Sequence, residues 1–193
     1  MTEVEDQSIA LMVTSPPYNV GMEYEEKKSL SEYLNFLNEV WSTAKEKLIP
    51  GGRFAINIAN TGRNPYIPLS CLVTKQLLDL GMIPEGQIIW QKPAASSFGS
   101  SAFGSWRLPS NPILQDHHEY ILIFRKDERR RKLSTIPEII KNESRLSKEE
   151  FLELRRSTWN INPISPNGHP CPFPVQLPSR LIQLFSFKKV DSI

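Results

Sequence analysis

A hexapeptide near the start of the chain, residues 14–19 (TSPPYN), combines a hydroxyl, two adjacent prolines, an aromatic ring and an amide. Each proline lacks a backbone N–H and keeps its φ near about −65°. Pro17 also holds Pro16 in an extended conformation, because its ring crowds the preceding residue. The pattern therefore predicts a rigid turn whose carbonyl oxygens are unpaired acceptors beside an aromatic face.

Such acceptors suit the exocyclic amino group of cytosine or adenine, whose nitrogen lone pair is delocalised into the ring. Two acceptors on its hydrogens favour a pyramidal nitrogen and stabilise the positive charge that develops as it attacks an electrophile. The Ser15 side chain and the Pro16 carbonyl are the candidate acceptors, and Tyr18 offers the stacking surface that an extruded base requires. A plain proline-rich turn is the alternative, but the position after the apolar run 11–13 favours the chemical interpretation.

Composition excludes several other classes of protein. With 193 residues, 39% hydrophobic and 23% charged, the chain suits one domain with a core. The net charge of +2 means that any basic face must be local. The two cysteines, Cys71 and Cys171, lie in no metal-ligand pattern, and no apolar run approaches the ~20 residues of a membrane span. We expect a cytoplasmic protein with reduced thiols and neither signal peptide nor metal.

The elements that must position the hexapeptide follow an α/β pattern. A helix begins at Ser29, which can form a capping box with Glu32, and Pro50-Gly51-Gly52 is expected to stop it. Alternation of strands and helices indicates a mostly parallel sheet. Besides the apolar run, the other predicted elements are strands at 53–60, 85–92 and 118–126 and helices at 66–81 and 177–187.

Four later stretches, together with TSPPYN, resemble in order the motif blocks of amino-group DNA methyltransferases. They read IPGGRFAINIANTGR, IIWQK, GSWRLPSNPILQDHHEYILIFRK and HPCPFPVQLPSRLIQLFSF. Enzymes of this family use S-adenosylmethionine to methylate cytosine N4 or adenine N6, often within restriction–modification systems. The early catalytic block and late donor-contacting block are similar to the class with permuted motifs. The resemblance implies a Rossmann-like S-adenosylmethionine-dependent methyltransferase fold acting on double-stranded DNA.

The resemblance also implies three segments and a set of site residues. Residues 1–125 form the catalytic α/β region, 126–160 an inserted target-recognition segment, and 161–193 the donor-contacting loop and helix. The catalytic residues implied are Ser15, Pro16, Pro17 and Tyr18. The cofactor-binding residues implied are Asn19, His169, Pro170 and Phe173. The expected DNA-binding residues are Trp106 and Arg107, in an aromatic-rich loop with Phe98 and Phe103, and Arg129, Arg130, Arg131 and Lys132, in the basic run RKDERRRK.

A serine before Pro-Pro favours cytosine N4, whereas aspartate or asparagine there favours adenine N6. Adenine N6 stays open as an alternative, and so does a protein glutamine amide, although enzymes acting on that amide resemble NPPY. Cys171 follows a proline as in cytosine-C5 methyltransferases, but amino methylation needs no covalent intermediate. Metal binding by residues 116–119 (DHHE) is disfavoured because adjacent residues of a strand point to opposite faces.

One departure from the family concerns the donor pocket. The family places a strand and a glycine-rich turn after the segment that resembles LFSF, whereas this chain reads KKVDSI there and contains no G-x-G anywhere. We therefore expect an incomplete sheet, in a truncated product or in one half of a split enzyme whose complementary chain supplies the turn. An inactive remnant that only binds DNA or a partner chain is the remaining alternative.

Overall fold

The computed structural model describes residues 3–21, 28–61, 65–93, 104–164 and 172–193. The strands are β1 (Ile9–Thr14), β2 (Leu48–Ile58), β3 (Ile83–Gln91), β4 (His118–Arg125) and β5 (Thr158–Asn160). The helices are α1 (Leu30–Lys47), α2 (Leu69–Asp79), α3 (Glu138–Glu143), α4 (Lys148–Leu154) and α5 (Gln176–Phe185). In these ranges no helix is long and apolar enough to span a membrane.

The strands form one sheet in the order β1-β2-β4-β3-β5. β1 pairs in parallel with β2, and β3 pairs in parallel with β5. β4 lies between β2 and β3 and is antiparallel to both. Four strands thus run in one direction and β4 runs against them, which confirms the α/β class and adds a reversed strand to the predicted sheet.

Helices cover both faces of the sheet, which explains the continuous apolar runs within β1 and β4. Along β4, Leu122 and Phe124 face the cluster that α1 and α2 complete. Ile121 and Ile123 face the opposite cluster, to which α5 contributes Leu177. Alternate residues of β4 therefore point to two different cores, and the face of a side chain in this strand can be assigned from its position.

Two boundaries differ from the prediction. β2 begins at Leu48, so Pro50, Gly51 and Gly52 lie inside the strand and do not merely end the helix before it. Gly51 has φ +72° and a Cβ there would lie 2.9 Å from the Arg129 carbonyl oxygen, so the backbone approaches where only glycine fits. The expected inserted segment 126–160 also supplies β5 to the sheet.

The predicted capping box at the start of α1 is confirmed. The Ser29 hydroxyl accepts from the Glu32 N–H at 3.3 Å, and the Glu32 carboxylate accepts from the Ser29 N–H at 2.8 Å. The Ser29 hydroxyl also donates to the Glu32 carboxylate at 2.6 Å, and this bond, together with the one from the Ser29 N–H, lowers the pKa of Glu32. A carboxyl group with a lowered pKa contributes stability above its unfolded pKa and loses it as pH falls through the folded one.

Replacing Ser29 with alanine is expected to lower the free energy of unfolding by about 1 kcal/mol, because α1 loses its cap. Urea denaturation at neutral pH measures this loss. Ser31→Ala, on the exposed side of the same helix, is the matched control and is expected to leave stability within about 0.5 kcal/mol of the wild type. Equal stability of the two variants would show that the cap contributes nothing.

Candidate active site

The hexapeptide lies at the end of the sheet that is formed by the C-terminal ends of β1, β2 and β3, called here the carboxyl edge. Since β4 is antiparallel, its first residues lie at this same edge. In open α/β sheets, ligands bind in the crevice outside the carboxyl ends of the parallel strands. Ser15 directly follows β1, Lys92 directly follows β3, and Glu119 is the second residue of β4. Three segments distant in sequence thus deliver polar side chains to one edge.

Strand alternation places these side chains on one face. Asn57 lies two residues beyond Ala55 in β2, and Glu119 lies two residues before Ile121 in β4. Ala55 and Ile121 both face the core under α5. Asn57 and Glu119 therefore point toward the α5 side of the sheet, at the rim of that core, where their polar groups can meet.

A network of hydrogen bonds joins these groups. Glu119, 9% exposed, accepts at Oε2 from Tyr18 Oη at 3.0 Å and from Asn57 Nδ2 at 2.5 Å. Its Oε1 accepts from the Lys92 ammonium group, which also lies over the Trp90 ring. Asn57 Nδ2 lies 3.1 Å from Tyr18 Oη and 3.3 Å from Ser15 Oγ. The two hydroxyl oxygens of the hexapeptide are 3.1 Å apart.

Tyr18 connects the network to the other core. Its hydroxyl points into the network, while its ring is partly buried against the cluster under α1 and α2. Burial raises the pKa of Tyr18 well above its usual range, and the negative charge of Glu119 raises it further. The hydroxyl therefore keeps its proton at neutral pH and acts as a donor. Base stacking by the partly buried ring stays a prediction.

The sequence predicted unpaired carbonyl oxygens in the proline turn, but one of the two proline carbonyls has a partner. The Pro17 carbonyl accepts from the Tyr33 hydroxyl at 2.5 Å, so the expectation is wrong for this oxygen. Tyr33 is a buried residue of α1, and its hydrogen bond anchors the proline turn to the helix. Sequence reasoning missed this contact because the partners lie 16 residues apart with nothing to pair them. The Pro16 carbonyl stays the predicted second acceptor.

The expected donor-binding residues are only partly described. His169 and Pro170 lie outside the described residues, as does Cys171. Asn19 adopts the left-handed backbone region, with φ 55°, and its Nδ2 donates to the Lys28 carbonyl at 2.9 Å. Phe173 packs on the core under α5, the face toward which Asn57 and Glu119 point.

Trp106 and Arg107 lie in a small closed loop before β4. A bridge between Gly104 and Pro112 closes the loop, and the Ser105 hydroxyl accepts from the Asn111 N–H at 2.8 Å. Trp106 is 64% exposed, and Arg107 is exposed with φ 58°. The loop leads to the end of β4 that carries Glu119. DNA contact by these two residues stays a prediction. Phe98 and Phe103 lie outside the described residues.

The basic run lies at the other end of the strands, away from the carboxyl edge. Arg129, Arg130, Arg131 and Lys132 follow the far end of β4, which spans roughly 23 Å. Arg129 pairs with Asp127 at 2.6 Å, and Arg131 forms a two-point ion pair with Asp191, whose side chain is 3% exposed. The structure does not bring these arginines to the network, and two of them are held by carboxylates of the same chain.

Two members of the network, Lys92 and Glu119, escaped sequence reasoning. Glu119 belongs to the run 116–119, for which the sequence disfavours metal binding, and Lys92 is the last residue of the predicted strand 85–92. The available signal was their position: each is a charged residue at the edge where TSPPYN ends its own strand. No cluster of metal-ligating side chains occurs in the ranges that the structure describes.

Comparisons with known proteins agree with this geometry. A model of the DNA methylase family for N6 and N4 methyltransferases matches residues 9–192. Type II methyltransferase M.MjaI of Methanocaldococcus jannaschii is 30% identical over 226 residues, covering 96% of this chain and 73% of that protein. Type II methyltransferase M.MjaVI of the same organism is 32% identical over 163 residues, covering 82% of this chain and 79% of that protein.

Solved structures show the same likeness. TTHA0409, a candidate DNA modification methylase of Thermus thermophilus solved in complex with S-adenosyl-L-methionine, superposes with a TM-score of 0.72 at 29% identity. The match covers 96% of this chain and 70% of that one. The PvuII DNA methyltransferase (cytosine-N4-specific), at 17% identity and a TM-score of 0.66 over 94% of this chain and 65% of that one, shares the fold. The chain therefore belongs to the family of N6 and N4 DNA methylases.

Proposed function

We propose that this chain carries the base-binding part of an active site. This active site transfers a methyl group from S-adenosylmethionine to the exocyclic amino group of a base flipped out of double-stranded DNA. The observation that carries the proposal is the joining of Ser15 and Tyr18, two residues of TSPPYN, in one hydrogen-bonded network at the carboxyl edge of the sheet. Ser15 Oγ and the Pro16 carbonyl accept the two amino hydrogens, so that the nitrogen lone pair becomes available.

Cytosine N4 is the proposed acceptor, and adenine N6 is the alternative. The serine before Pro-Pro supports cytosine. The cytosine-specific PvuII enzyme shares the fold at an identity too low to carry the choice of base. Incubation of the chain with methyl-labelled donor and DNA, followed by digestion to nucleosides and mass spectrometry, distinguishes N4-methylcytosine from N6-methyladenine. Absence of label from both bases would contradict the proposed function.

Two of the described residues suit the purine base of S-adenosylmethionine, the methyl donor. Phe173 offers an aromatic ring on the face of the sheet toward which Asn57 points, and Asn57 Oδ1 is a buried acceptor without a partner among the described residues. When bound, S-adenosylmethionine supplies a methyl group on a positively charged sulfur. We propose that Asn19, His169, Pro170 and Phe173 hold it there.

We also propose that the outer edge of β1 receives a strand that completes the donor site, from a complementary chain or adjoining sequence. Ser192 forms a parallel bridge with Ile9 and accepts from the Ala10 N–H at 2.9 Å, so pairing on this edge has already begun. Beside the edge lies an apolar groove of about 500 Å³ lined by Met12, Val13 and Ile193 among others. A parallel strand there would end beside Ser15.

Calorimetric titration of S-adenosylmethionine into the purified chain tests the donor proposal. Micromolar binding would show that the residues present suffice. Binding seen only after a complementary chain is added would support strand completion at β1. Failure to bind under both conditions would contradict the assignment of the donor residues.

Stacking by Tyr18 has its own test. Tyr18→Phe removes the hydroxyl but keeps the ring, whereas Tyr18→Ala removes both. If the ring clamps the flipped base, the alanine variant should lose roughly ten- to hundredfold more activity than the phenylalanine variant, since base–aromatic stacking is worth about 1–3 kcal/mol. The measurement is single-turnover methylation, with circular dichroism to verify the fold. Equal losses in the two variants would contradict the stacking role.

A further inference from the structure

The hydrogen-bond network beside the hexapeptide ends in a carboxylate, that of Glu119. Glu119 lies in β4, 101 residues from Tyr18, and is held between Tyr18 and Asn57 on one oxygen and Lys92 on the other. Methyl transfer to an amino group uses Ser15, Pro16 and Tyr18 and assigns no role to this glutamate. Its burial next to a lysine demands an explanation, because a buried carboxylate is costly unless it is paired.

Hydrogen-bond direction along this chain of groups follows from the charge of Glu119. A carboxylate paired with an ammonium group is ionised, and an ionised carboxylate can only accept. Tyr18 must therefore donate its one proton to Glu119 Oε2, at 3.0 Å. The 3.1 Å contact between Ser15 Oγ and Tyr18 Oη can then be a hydrogen bond in one direction only, with Ser15 donating.

The consequence appears at Ser15. Its single proton is directed inward at Tyr18, and Asn57 Nδ2 approaches its oxygen at 3.3 Å. One lone pair of Oγ therefore remains available to accept from the target amino group. A serine hydroxyl ordinarily rotates freely and donates as readily as it accepts, so a fixed acceptor is a property that the network confers.

We propose that Glu119 is a positioning residue that sets the direction of this hydrogen-bond chain and thereby holds Ser15 as an acceptor for the target amino group. The inference rests on the proposed function and adds a residue to it. A glutamine at this position presents an NH₂ group that can donate to Tyr18. Tyr18 then donates to Ser15, and the serine proton points at the amino hydrogens of the base.

Kinetics of Glu119→Gln test the proposal in the full chain. We expect kcat to fall roughly tenfold to hundredfold, as for loss of one hydrogen bond to a charged group, with KM for DNA and for donor unchanged. The matched control is Glu39→Gln, an exposed glutamate of α1, which should keep wild-type kcat. A rise in KM at constant kcat, or unchanged kinetics in Glu119→Gln, would overturn the proposal.

A double-mutant cycle separates positioning from a merely structural role. Tyr18→Phe interrupts the path from Glu119 to Ser15 that runs through Tyr18. The remaining bridge, Asn57 Nδ2, can only donate and so cannot set the direction of the Ser15 proton. Glu119→Gln should therefore cost little further kcat in the Tyr18→Phe background. Multiplying losses would mean that Glu119 acts independently of Tyr18 and would overturn the proposal. Glu119→Asp, which keeps the charge, should recover part of the activity that glutamine loses.

A third experiment does not require the chain to methylate DNA. Carbon-13 NMR of labelled tyrosine should show Tyr18 titrating above the usual tyrosine range, and Glu119→Gln should bring that titration down, although burial keeps it raised. Among the residues that the structure describes, the titratable groups around Tyr18 are Glu119, Lys92 behind it and Tyr33 on α1. An unchanged Tyr18 titration in Glu119→Gln would overturn the assigned direction. A wild-type chain that methylates no DNA would contradict the proposed function but leave this measurement decisive for Glu119.

Discussion

Ser15→Ala is expected to lower kcat for methyl transfer by roughly 10²–10³-fold, the usual effect of removing one preorganised polar partner from a developing charge. The substitution removes the hydroxyl that lies 3.1 Å from Tyr18 and 3.3 Å from Asn57. Because Ser15 lies just after β1 and is not part of a core cluster, the fold should survive. The measurement is single-turnover methylation of DNA at saturating donor.

Ser8→Ala is the matched control for this experiment. Ser8 precedes the opposite end of β1 and donates to the Glu5 carbonyl at 2.7 Å, so its loss should leave kcat unchanged. Donor and DNA binding by Ser15→Ala should stay within about threefold of the wild type, since the lost contact matters most in the transition state. A Ser15→Ala variant with wild-type kcat would contradict the acceptor role of the hydroxyl.

Arg131→Met is expected to lower the free energy of unfolding by about 3 kcal/mol, because breaking one side of a buried ion pair leaves an uncompensated charge. The Asp191 side chain is 3% exposed and the Arg131 side chain 15%. Arg131 also lies over the Phe187 ring at 5.0 Å, and Asp191 accepts from the Phe187 N–H. Urea denaturation with a constant slope would measure the loss.

Arg130→Met serves as the control, since Arg130 is exposed and adjoins Arg131 in the same run. Its stability should stay within about 0.5 kcal/mol of the wild type. The same pair tests the DNA-contact prediction for the run: a residue that contacts phosphate lowers the salt dependence of DNA binding by about one unit of slope when removed. Equal stability of Arg130→Met and Arg131→Met would contradict the structural role of Arg131.

The sequence predicted what depends on local pattern. The capping box of α1 and the α/β alternation are encoded within short windows, and the structure confirms both. The hexapeptide TSPPYN is equally local, and its catalytic role stays a prediction. The reversed direction of β4 was not predictable in this way, because strand direction depends on how connections cross the sheet. β5 has only three residues, too few for a periodic signal.

The parts of the site that the sequence did not predict share one physical property, which is that they depend on contacts between residues distant in the chain. Glu119 meets Tyr18 across 101 residues and Asn57 across 62, so neither contact leaves a trace in local spacing. The basic run shows the converse case, while its contact with DNA stays a prediction. Its composition suggested free cations, but Asp191 lies 60 residues from Arg131 and no neighbouring residue reveals the pair.

The hydrogen-bond network around Glu119 is assembled from the ends of β1, β2, β3 and β4, and Glu119 meets its partners across 27 to 101 residues. Its two charged members, Lys92 and Glu119, belong to different strands, so the network cannot exist in a partly folded intermediate that lacks one of these strands. Closing loops of this length carries most of its entropic cost before any contact is gained. Methylation activity should therefore return with the last slow phase of refolding, later than the circular dichroism signal of the helices. The time at which activity returns would then report when the sheet is complete.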